Sequence, residues 1–159
     1  MNWDKSYLEM AEISAKHSKC SAKQVGCILV RDNNILSIGI NGTLPGKLNC
    51  NDKFNKVAGV WFVKDDSTGE FIASKNKNEH HEWSLINEIH AEMNALSKAN
   101  KIGVSVSKST AYVTMSPCFN CAKALVSFGV EKIVYRNEYD DFRTVKRFLE
   151  DNGVILLKI

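Results

Sequence analysis

The sequence predicts an α/β fold, a three-layer α/β/α sandwich in which helices cover both faces of a mixed five-stranded sheet. From residue 110 onward, apolar and amphipathic segments alternate in the order strand, helix, strand, helix, strand. Such crossover connections join parallel strands and place helices on the faces of the sheet. Earlier in the chain, residues 24–30 and 35–40 are apolar and flank a short turn, which indicates an antiparallel hairpin.

Length and composition indicate one globular domain, residues 1–159, with an irregular insertion at about residues 43–86. Hydrophobic residues make up 44% and charged residues 25% of the chain, which is ordinary for such a domain. The net charge of +3 includes no basic block, so we expect no nucleic-acid partner. No apolar run is long enough for a membrane helix and the N-terminus does not resemble a signal peptide, so we expect a cytoplasmic protein without a membrane partner.

The elements of the first half follow from the apolar spacing. Residues 3–18 repeat apolar side chains at helical intervals, and Ser18 to Ser21 should break that helix. Residues 24–30 are apolar at both alternating sets of positions, which is typical of a strand covered on both faces. Within the insertion, residues 60–63 and 71–73 are apolar and flank a polar turn, so a hairpin is predicted there.

In the second half of the chain, strand and helix patterns alternate more regularly. A helix is predicted from residue 87 to 99 and a strand over 110–115. Ser116 is a favourable N-cap and Pro117 a favourable first-turn residue for the next helix, which should end at Gly129. A strand over 132–135, a helix over 141–150 and a strand over 154–157 complete the sheet.

Two short motifs carry the chemistry: His90-x-Glu92 and Pro117-Cys118-x-x-Cys121. One histidine and two cysteines are three zinc ligands, the number that a catalytic zinc uses when its fourth position stays open for water. Both cysteines lie near a predicted helix start, where the helix dipole favours the metal-binding thiolate. Zinc would lower the pKa of its bound water to about 7, giving hydroxide at neutral pH, and Glu92 is available to carry protons.

Other interpretations of these residues are weaker. A C-x-x-C pair alone could be half of a structural zinc site or a thioredoxin-like redox pair. A thioredoxin-like site also needs a second proline facing the cysteines, and the only other proline, Pro45, lies in the insertion. Five cysteines, an odd number, in a reducing compartment favour metal binding over disulfides. Cys27 lies within a strand and is expected to be a buried small hydrophobic residue.

The combination H-x-E and P-C-x-x-C resembles the zinc-dependent nucleobase deaminases. The longer stretches resemble the phage-type deoxycytidylate (dCMP) deaminases within that superfamily; they cover residues 24–26, 39–42, 87–95, 112–118 and 134–135. The resemblance implies a zinc-dependent hydrolase in which the hydroxide attacks C4 of the base and converts dCMP to dUMP for thymidylate synthesis. It further implies a homo-hexamer that dCTP activates and dTTP inhibits, with Mg²⁺ accompanying the regulatory triphosphate.

The resemblance also assigns residues. Glu92 is the catalytic acid and base, and the catalytic zinc ligands are His90, Cys118 and Cys121. Substrate contacts are expected from Lys23, Asn41, Tyr135, Arg136 and the backbone at Ala91 and Ser116. The regulatory nucleotide is expected at Gly39, Asn41 and Gly42, although Ile40 stands where the family has a tyrosine. A second, structural zinc is implied at Cys20, Cys50, His80 and Glu88.

Alternatives to these assignments remain open at this stage. Lys23, Tyr135 and Arg136 could equally be exposed polar residues at strand ends, and Cys20 and Cys50 could be free cysteines. The same chemistry could act on dCTP, on tRNA or on single-stranded DNA, but a bound strand calls for a basic, aromatic surface that the composition does not indicate. A nucleotide sensor without activity would have no evident use for Glu92.

Overall fold

Residues 3–139 and 141–159, the part of the chain that the computed structural model describes, form six helices and ten strands. Residues 1, 2 and 140 lie outside the description. In chain order, the first part contains α1 (Trp3–Ala15), β1 (Gly26–Arg31), β2 (Asn34–Ile40), β3 (Gly42–Thr43), α2 (Cys50–Lys53), β4 (Phe54–Val57), β5 (Val60–Lys64), β6 (Phe71–Ala73), α3 (Glu79–Asn87) and β7 (Glu88–Ile89). The second part contains α4 (Ala91–Lys101), β8 (Thr110–Met115), α5 (Phe119–Ser127), β9 (Lys132–Asn137), α6 (Arg143–Asp151) and β10 (Ile155–Lys158).

The central sheet has the strand order β10-β9-β8-β1-β2. Strand β1 is antiparallel to both β2 and β8, whereas β8, β9 and β10 are parallel. The predicted mixed five-stranded sheet is therefore confirmed, together with the predicted hairpin between β1 and β2.

Alternate residues of the sheet face two separate helical layers. On one face, Ile28 and Val30 of β1 pack with Tyr7, Leu8 and Ala11 of α1. On the other face, the neighbouring β1 residues join a larger core that includes side chains of α4, α5 and α6. Strand β1 is buried along almost its whole length, because it lies inside the sheet and both of its faces are covered.

The prediction of a helix that starts at residue 87 is wrong. Residues 79–87 form α3, the next two residues pair as β7 with β3, and α4 begins only at Ala91 with His90 as its N-cap. The antiparallel pairing of Glu88 with Thr43 and of Ile89 with Gly42 extends the backbone there and interrupts the helix. Likewise, α1 ends at Ala15, earlier than the predicted residue 18.

The start of α5 also differs from the prediction. Its N-cap is Cys118, not Ser116, and the helix begins at Phe119. Pro117 disfavours the helical conformation at the residue that precedes it, so the chain stays extended through Ser116. The Ser116 hydroxyl instead accepts a hydrogen bond from the Tyr139 N–H at 3.0 Å.

The insertion has more structure than the sequence indicated. Strands β5 and β6 form the predicted hairpin, and β4 adds a third strand on the other side of β5. Strands β4 and β5 are joined by Ala58 and Gly59, both with positive φ (48° and 83°), as a two-residue type I′ turn requires. Phe54 of β4 is buried with Cys20 and Cys50, so this small sheet has its own core.

None of the helices in the described ranges combines the length and the apolar character that crossing a membrane would need.

Candidate functional site

Two helix starts bring His90, Cys118 and Cys121 together. His90 is the N-cap of α4, Cys118 is the N-cap of α5, and Cys121 lies in the first turn of α5. The Nδ1 atom of His90 is 3.4 Å from the Sγ atoms of both cysteines. The three potential ligand atoms lie within 4.8 Å of one another, so a single ion could contact all of them.

The protonation of this group favours metal binding. Hydrogen bonds from Cys121 and His90 outweigh burial and lower the pKa of Cys118 to about 4. The hydrogen bond to Cys118 raises the pKa of His90. At neutral pH the cluster therefore holds at least one thiolate, the form of cysteine that ligates metals. One imidazole nitrogen and two sulfurs are a donor set typical of catalytic zinc sites, so the residues fit the ion that the sequence implies.

Glu92 lies beside these three residues at the second position of α4 and is only 3% exposed. Burial raises its pKa to about 7, because an ionised carboxylate is poorly solvated there. A carboxyl group with a pKa near neutrality can both accept and release a proton at physiological pH. The arrangement thus combines three ligand atoms with one acid–base group.

A second group of ligand atoms comprises Cys20, Cys50, His80 and Glu88, again within 4.8 Å of one another. The Cys50 Sγ atom is 3.2 Å from His80 Nε2, and the Cys20 Sγ atom is 3.5 Å from Glu88 Oε2. Cys20 follows α1, Cys50 begins α2, His80 belongs to α3 and Glu88 to β7. The structure therefore brings the four residues implied for a second metal together from separate elements.

Two observations indicate that this second group fits a cation. The Oε1 atom of Glu88 is buried and has no hydrogen-bond partner within the described residues, a costly state that a bound ion would relieve. The hydrogen bond from Cys50 lowers the pKa of Cys20 to about 7, and the Ser21 N–H donates to Cys50 Sγ at 3.3 Å. The first contact favours thiolate at Cys20, whereas the same hydrogen bond together with burial raises the pKa of Cys50. Two sulfurs, one imidazole and one carboxylate would complete a four-coordinate zinc site.

One cleft with a volume of about 260 Å³ connects the two groups. Its wall includes Glu92, Ala91 and Ser116 near the first group, and Lys23 and Asn41 at another part of the rim. Cys20, His80, Glu88, His90 and Cys118 also line it. Of the residues expected at the substrate, the structure therefore places Lys23, Asn41, Ala91 and Ser116 around this cleft.

Tyr135 and Arg136 are not brought to the cleft. Tyr135 is buried in the core beside Phe142, and its hydroxyl donates to Glu138 at 3.2 Å. The Arg136 guanidinium forms an ion pair with Glu12 of α1 at 2.7 Å and donates to the backbone oxygen of Ile159. Both side chains are engaged in packing the fold rather than lining the candidate site.

The segment expected to bind a regulatory nucleotide has structural contacts of its own. A Cβ atom at Gly39 would lie 2.0 Å from the Ala91 carbonyl oxygen, so strand β2 and helix α4 can approach only with glycine there. The Asn41 side chain accepts a hydrogen bond from the Val25 N–H at 2.8 Å and donates to the Lys23 carbonyl at 2.9 Å. Asn41 thereby holds the rim of the cleft, and Gly42 lies next to it in β3.

Tyr139 is a cleft residue that the sequence did not predict. This residue lines the cleft, and the Lys23 Nζ atom lies 4.8 Å from the centre of its ring. Its backbone N–H binds Ser116 Oγ, which connects the segment after β9 to the segment before α5. The only local indication was an aromatic residue in a polar segment just after a strand, which is too common a pattern to identify a site.

Comparison with known proteins gives concordant results. Residues 1–137 match the family described as the cytidine and deoxycytidylate deaminase zinc-binding region. The deoxycytidylate deaminase of Enterobacteria phage T4 is 37% identical over 148 residues, which cover 84% of this chain and 77% of the phage protein. The deoxycytidylate deaminase of Mycobacterium phage D29 is 30% identical over 141 residues, covering 86% of this chain and 96% of that protein.

A solved structure agrees over the whole chain. The dCMP deaminase of cyanophage S-TIM5, in complex with dCMP and dUMP, superposes with a TM-score of 0.73 at 30% identity and covers 100% of this chain and 99% of its own. The family match, the sequence relatives and the solved structure all indicate the same family. The chain therefore belongs to the cytidine and deoxycytidylate deaminase family of zinc-binding enzymes.

Proposed function

We propose that this protein hydrolyses dCMP to dUMP and ammonia and so supplies dUMP for thymidylate synthesis. The observation that carries the proposal is the convergence of His90, Cys118 and Cys121 next to the buried carboxyl of Glu92. The dCMP and dUMP bound to the cyanophage relative support the choice of nucleotide. The cleft of about 260 Å³ offers room for the base and part of the sugar.

His90, Cys118 and Cys121 would hold the catalytic zinc ion. When bound, zinc supplies a Lewis acid that makes water nucleophilic at neutral pH. The three residues come from two helix N-termini, whose dipoles stabilise the negative charge of the thiolates. The ligand geometry is thus fixed by the backbone of two helices rather than by flexible loops.

Glu92 performs the proton transfers in this proposal. Hydrolytic deamination adds water at C4 of cytosine, protonates ring N3 and releases the 4-amino group as ammonia. Glu92 accepts a proton from the attacking water, donates it to N3, and then carries the second proton to the leaving amine. Burial raises the pKa of its carboxyl, which favours protonation of Glu92 between the two transfers.

The rest of the cleft would bind and orient the nucleotide. The backbone of Ala91 and Ser116 lies at the base edge, although the Ser116 N–H is already donated to the Asn137 carbonyl at 2.7 Å. Lys23 is exposed at the rim, where its ammonium group can reach the 5′-phosphate. Asn41 holds the backbone at Lys23 by donating to its carbonyl oxygen. Because Arg136 is paired with Glu12, we assign phosphate recognition to Lys23 and not to Arg136.

Cys20, Cys50, His80 and Glu88 would bind a second, structural zinc. The site joins the segment after α1 to α2 and α3 of the insertion and to β7 directly after it, and a closed four-ligand site can stabilise such a region by linking metal binding to folding. Metal analysis should give two zinc ions per chain in the purified protein and one in Cys20→Ser. A value of one in the parent protein would remove the second site.

Regulation by dCTP as activator and dTTP as inhibitor, with Mg²⁺ bound to the triphosphate, belongs to the same proposal, as does a homo-hexamer. The Gly39–Gly42 segment lies at the rim of the cleft through Asn41, so a nucleotide bound there could change the position of Lys23. Rates measured with and without each triphosphate test the regulation, and light scattering tests the hexamer.

The decisive experiment is a substrate panel. The protein, loaded with zinc, is assayed for release of ammonia from dCMP, deoxycytidine, dCTP and a cytosine-containing deoxyoligonucleotide. We expect dCMP to be by far the best substrate, because its single phosphate matches Lys23, the one lysine at the rim among the described residues. A rate on the oligonucleotide equal to that on dCMP would exclude the mononucleotide assignment, and a higher rate on dCTP would reassign the substrate.

A further inference from the structure

The imidazole ring of His80 is held between aromatic side chains. The Trp61 ring lies parallel to it, with the ring centres 4.0 Å apart and an angle of 10° between the planes. The Phe54 ring lies nearly perpendicular to the imidazole, with an angle of 85° between the planes and the ring centres 5.3 Å apart. His80 is only 8% exposed. A flat ring stacked on one neighbour and crossed by another cannot tilt without losing both contacts.

The hairpin of the insertion places Trp61 in this position. Strand β4 begins directly after α2, whose first residue is Cys50, and the type I′ turn at Ala58 and Gly59 brings β5 back beside it. The register pairs Lys56 with Trp61, and the Lys56 Nζ atom lies 5.0 Å from the centre of the Trp61 ring. The chain thus runs from one proposed metal ligand, Cys50, into the strand pair that packs on another, His80.

This packing replaces the usual means of orienting a metal-binding histidine. Such a histidine normally donates its second ring N–H to a carboxylate, a carbonyl or water, and that bond fixes the ring. Within the described residues, the hydrogen-bonding contact of the His80 ring is the one between Nε2 and Cys50 Sγ. The stack with Trp61 therefore provides the orientation that an outer hydrogen bond would otherwise provide.

We infer that Trp61 is a positioning residue for the second metal site, which holds His80 Nε2 directed at the ion and strengthens its binding. This inference rests on the proposed second zinc. Coordination withdraws electron density from the imidazole, and a positively polarised ring is attracted to the face of an indole. Trp61 consequently contributes to metal affinity without touching the metal, and the insertion hairpin becomes part of the metal site.

The test measures zinc affinity at the second site by competition with a chromogenic chelator, with Cys20→Ser identifying the phase of zinc release that belongs to that site. Trp61→Leu should lower the affinity roughly 10- to 100-fold, the range found when the outer partner of a metal-binding histidine is removed. Trp61→Phe keeps an aromatic face and should retain most of the affinity. Trp83→Leu is the matched control, because Trp83 contacts Phe54 in the same cluster.

Cobalt substitution adds a readout that loss of packing alone would not change. The Co²⁺ absorption bands of the second site report its ligands and geometry, and Trp61→Leu should shift them while the bands of the His90 site stay unchanged. An equal loss of affinity in Trp61→Leu and Trp83→Leu would overturn the positioning role, as would unchanged affinity in Trp61→Leu. A parent protein with one zinc per chain would instead refute the second site itself.

Discussion

At the scale of single residues, the candidate site depends on the position of Glu92. It follows the histidine by two residues, so the turn of the helix places its carboxyl beside the ligand atoms, where it is 3% exposed. It is not one of the three clustered ligands. Its function can therefore be tested separately from metal binding.

Glu92→Gln should retain the catalytic zinc and lose turnover. The amide fills nearly the same space but cannot carry a proton, and loss of a general acid–base group typically lowers kcat by roughly 10²- to 10⁴-fold. Zinc content and kcat on dCMP are measured together. The control is Glu70→Gln, since Glu70 is exposed on the insertion. Near-normal kcat in the Glu92 variant would show that another group transfers the proton.

Glu92 also predicts a pH dependence of stability in the zinc-free protein. Burial raises its folded-state pKa from the ordinary value of 4.5 to about 7, so the folded state binds one more proton than the unfolded state between these pH values. The contribution of Glu92 to stability is then greatest below pH 4.5 and is lost as pH rises from 4.5 through 7. The loss corresponds to about 3 kcal/mol.

Urea unfolding of the chelator-treated protein between pH 4.5 and 8 measures this effect. Glu92→Gln has no titrating group at that position, so its stability should decline less than that of the parent over the same range. Parallel pH profiles for the two proteins would contradict the buried, neutral state of the carboxyl.

At the scale of elements, the site depends on how closely β2 approaches α4. Gly39 permits that approach, because a Cβ atom would lie 2.0 Å from the Ala91 carbonyl oxygen and 2.4 Å from the Ala95 nitrogen. Both of those atoms belong to the backbone of the helix that carries Glu92. Ser37 adds a hydrogen bond to the Ala95 carbonyl at 2.7 Å, which holds the strand and the helix together.

Gly39→Ala should lower both stability and activity. Overpacking of this kind costs about 1–3 kcal/mol, which corresponds to a fall in Tm of roughly 2–4 °C for each kcal/mol in a chain of this size. Displacement of the first turn of α4 should also lower kcat in the protein that remains folded. Ile38→Ala, on the partly exposed neighbouring residue, is the control. Unchanged Tm in Gly39→Ala would mean that the contact is looser than the structure indicates.

Elements differ in how far they could be predicted from the sequence. The central sheet was predictable because each strand has an apolar pattern of its own. The metal ligands were predictable because both motifs are local and lie at helix starts. Helix α3 could not be predicted in this way, because it has no buried apolar stripe. Its buried residue is His80, whereas Leu85 and Ile86 are 70% and 84% exposed. Strand β7 has two residues and forms only by pairing with β3.

The local sequence also could not predict which way the side chains of Tyr135 and Arg136 point. Tyr135 ends a predicted strand and Arg136 follows it, where side chains on either face are compatible with a nearby site. The partners that decide their directions, Phe142 for Tyr135 and Glu12 for Arg136, lie elsewhere in the chain. Only the assembled fold could separate these residues from Lys23, which does reach the cleft.

At the scale of the whole molecule, two proposed metal sites share one short stretch of backbone. Glu88 belongs to the second site, and His90 belongs to the catalytic site. One residue, Ile89, lies between them and pairs with Gly42. Loss of the ion from the second site should therefore be transmitted to the catalytic ligands.

Loss of the second zinc should weaken the first. In Cys20→Ser, chelator competition should show reduced affinity at the catalytic site, on the order of 5- to 150-fold, the usual range for coupling between two sites. Cys27→Ala removes a buried cysteine that belongs to neither set and serves as the control. Catalytic zinc affinity equal to the parent's in Cys20→Ser would mean that the two sites bind independently.

The shortness of β7 has a consequence for how the chain can change in evolution or by design. Adding or deleting a residue between His80 and His90 would turn one ligand away from its ion, because α3, β7 and the start of α4 follow one another without a loop. The exposed turn at Asp65–Gly69 carries no such constraint. Length variation should thus concentrate at that hairpin tip, and the spacing from His80 to His90 should stay fixed.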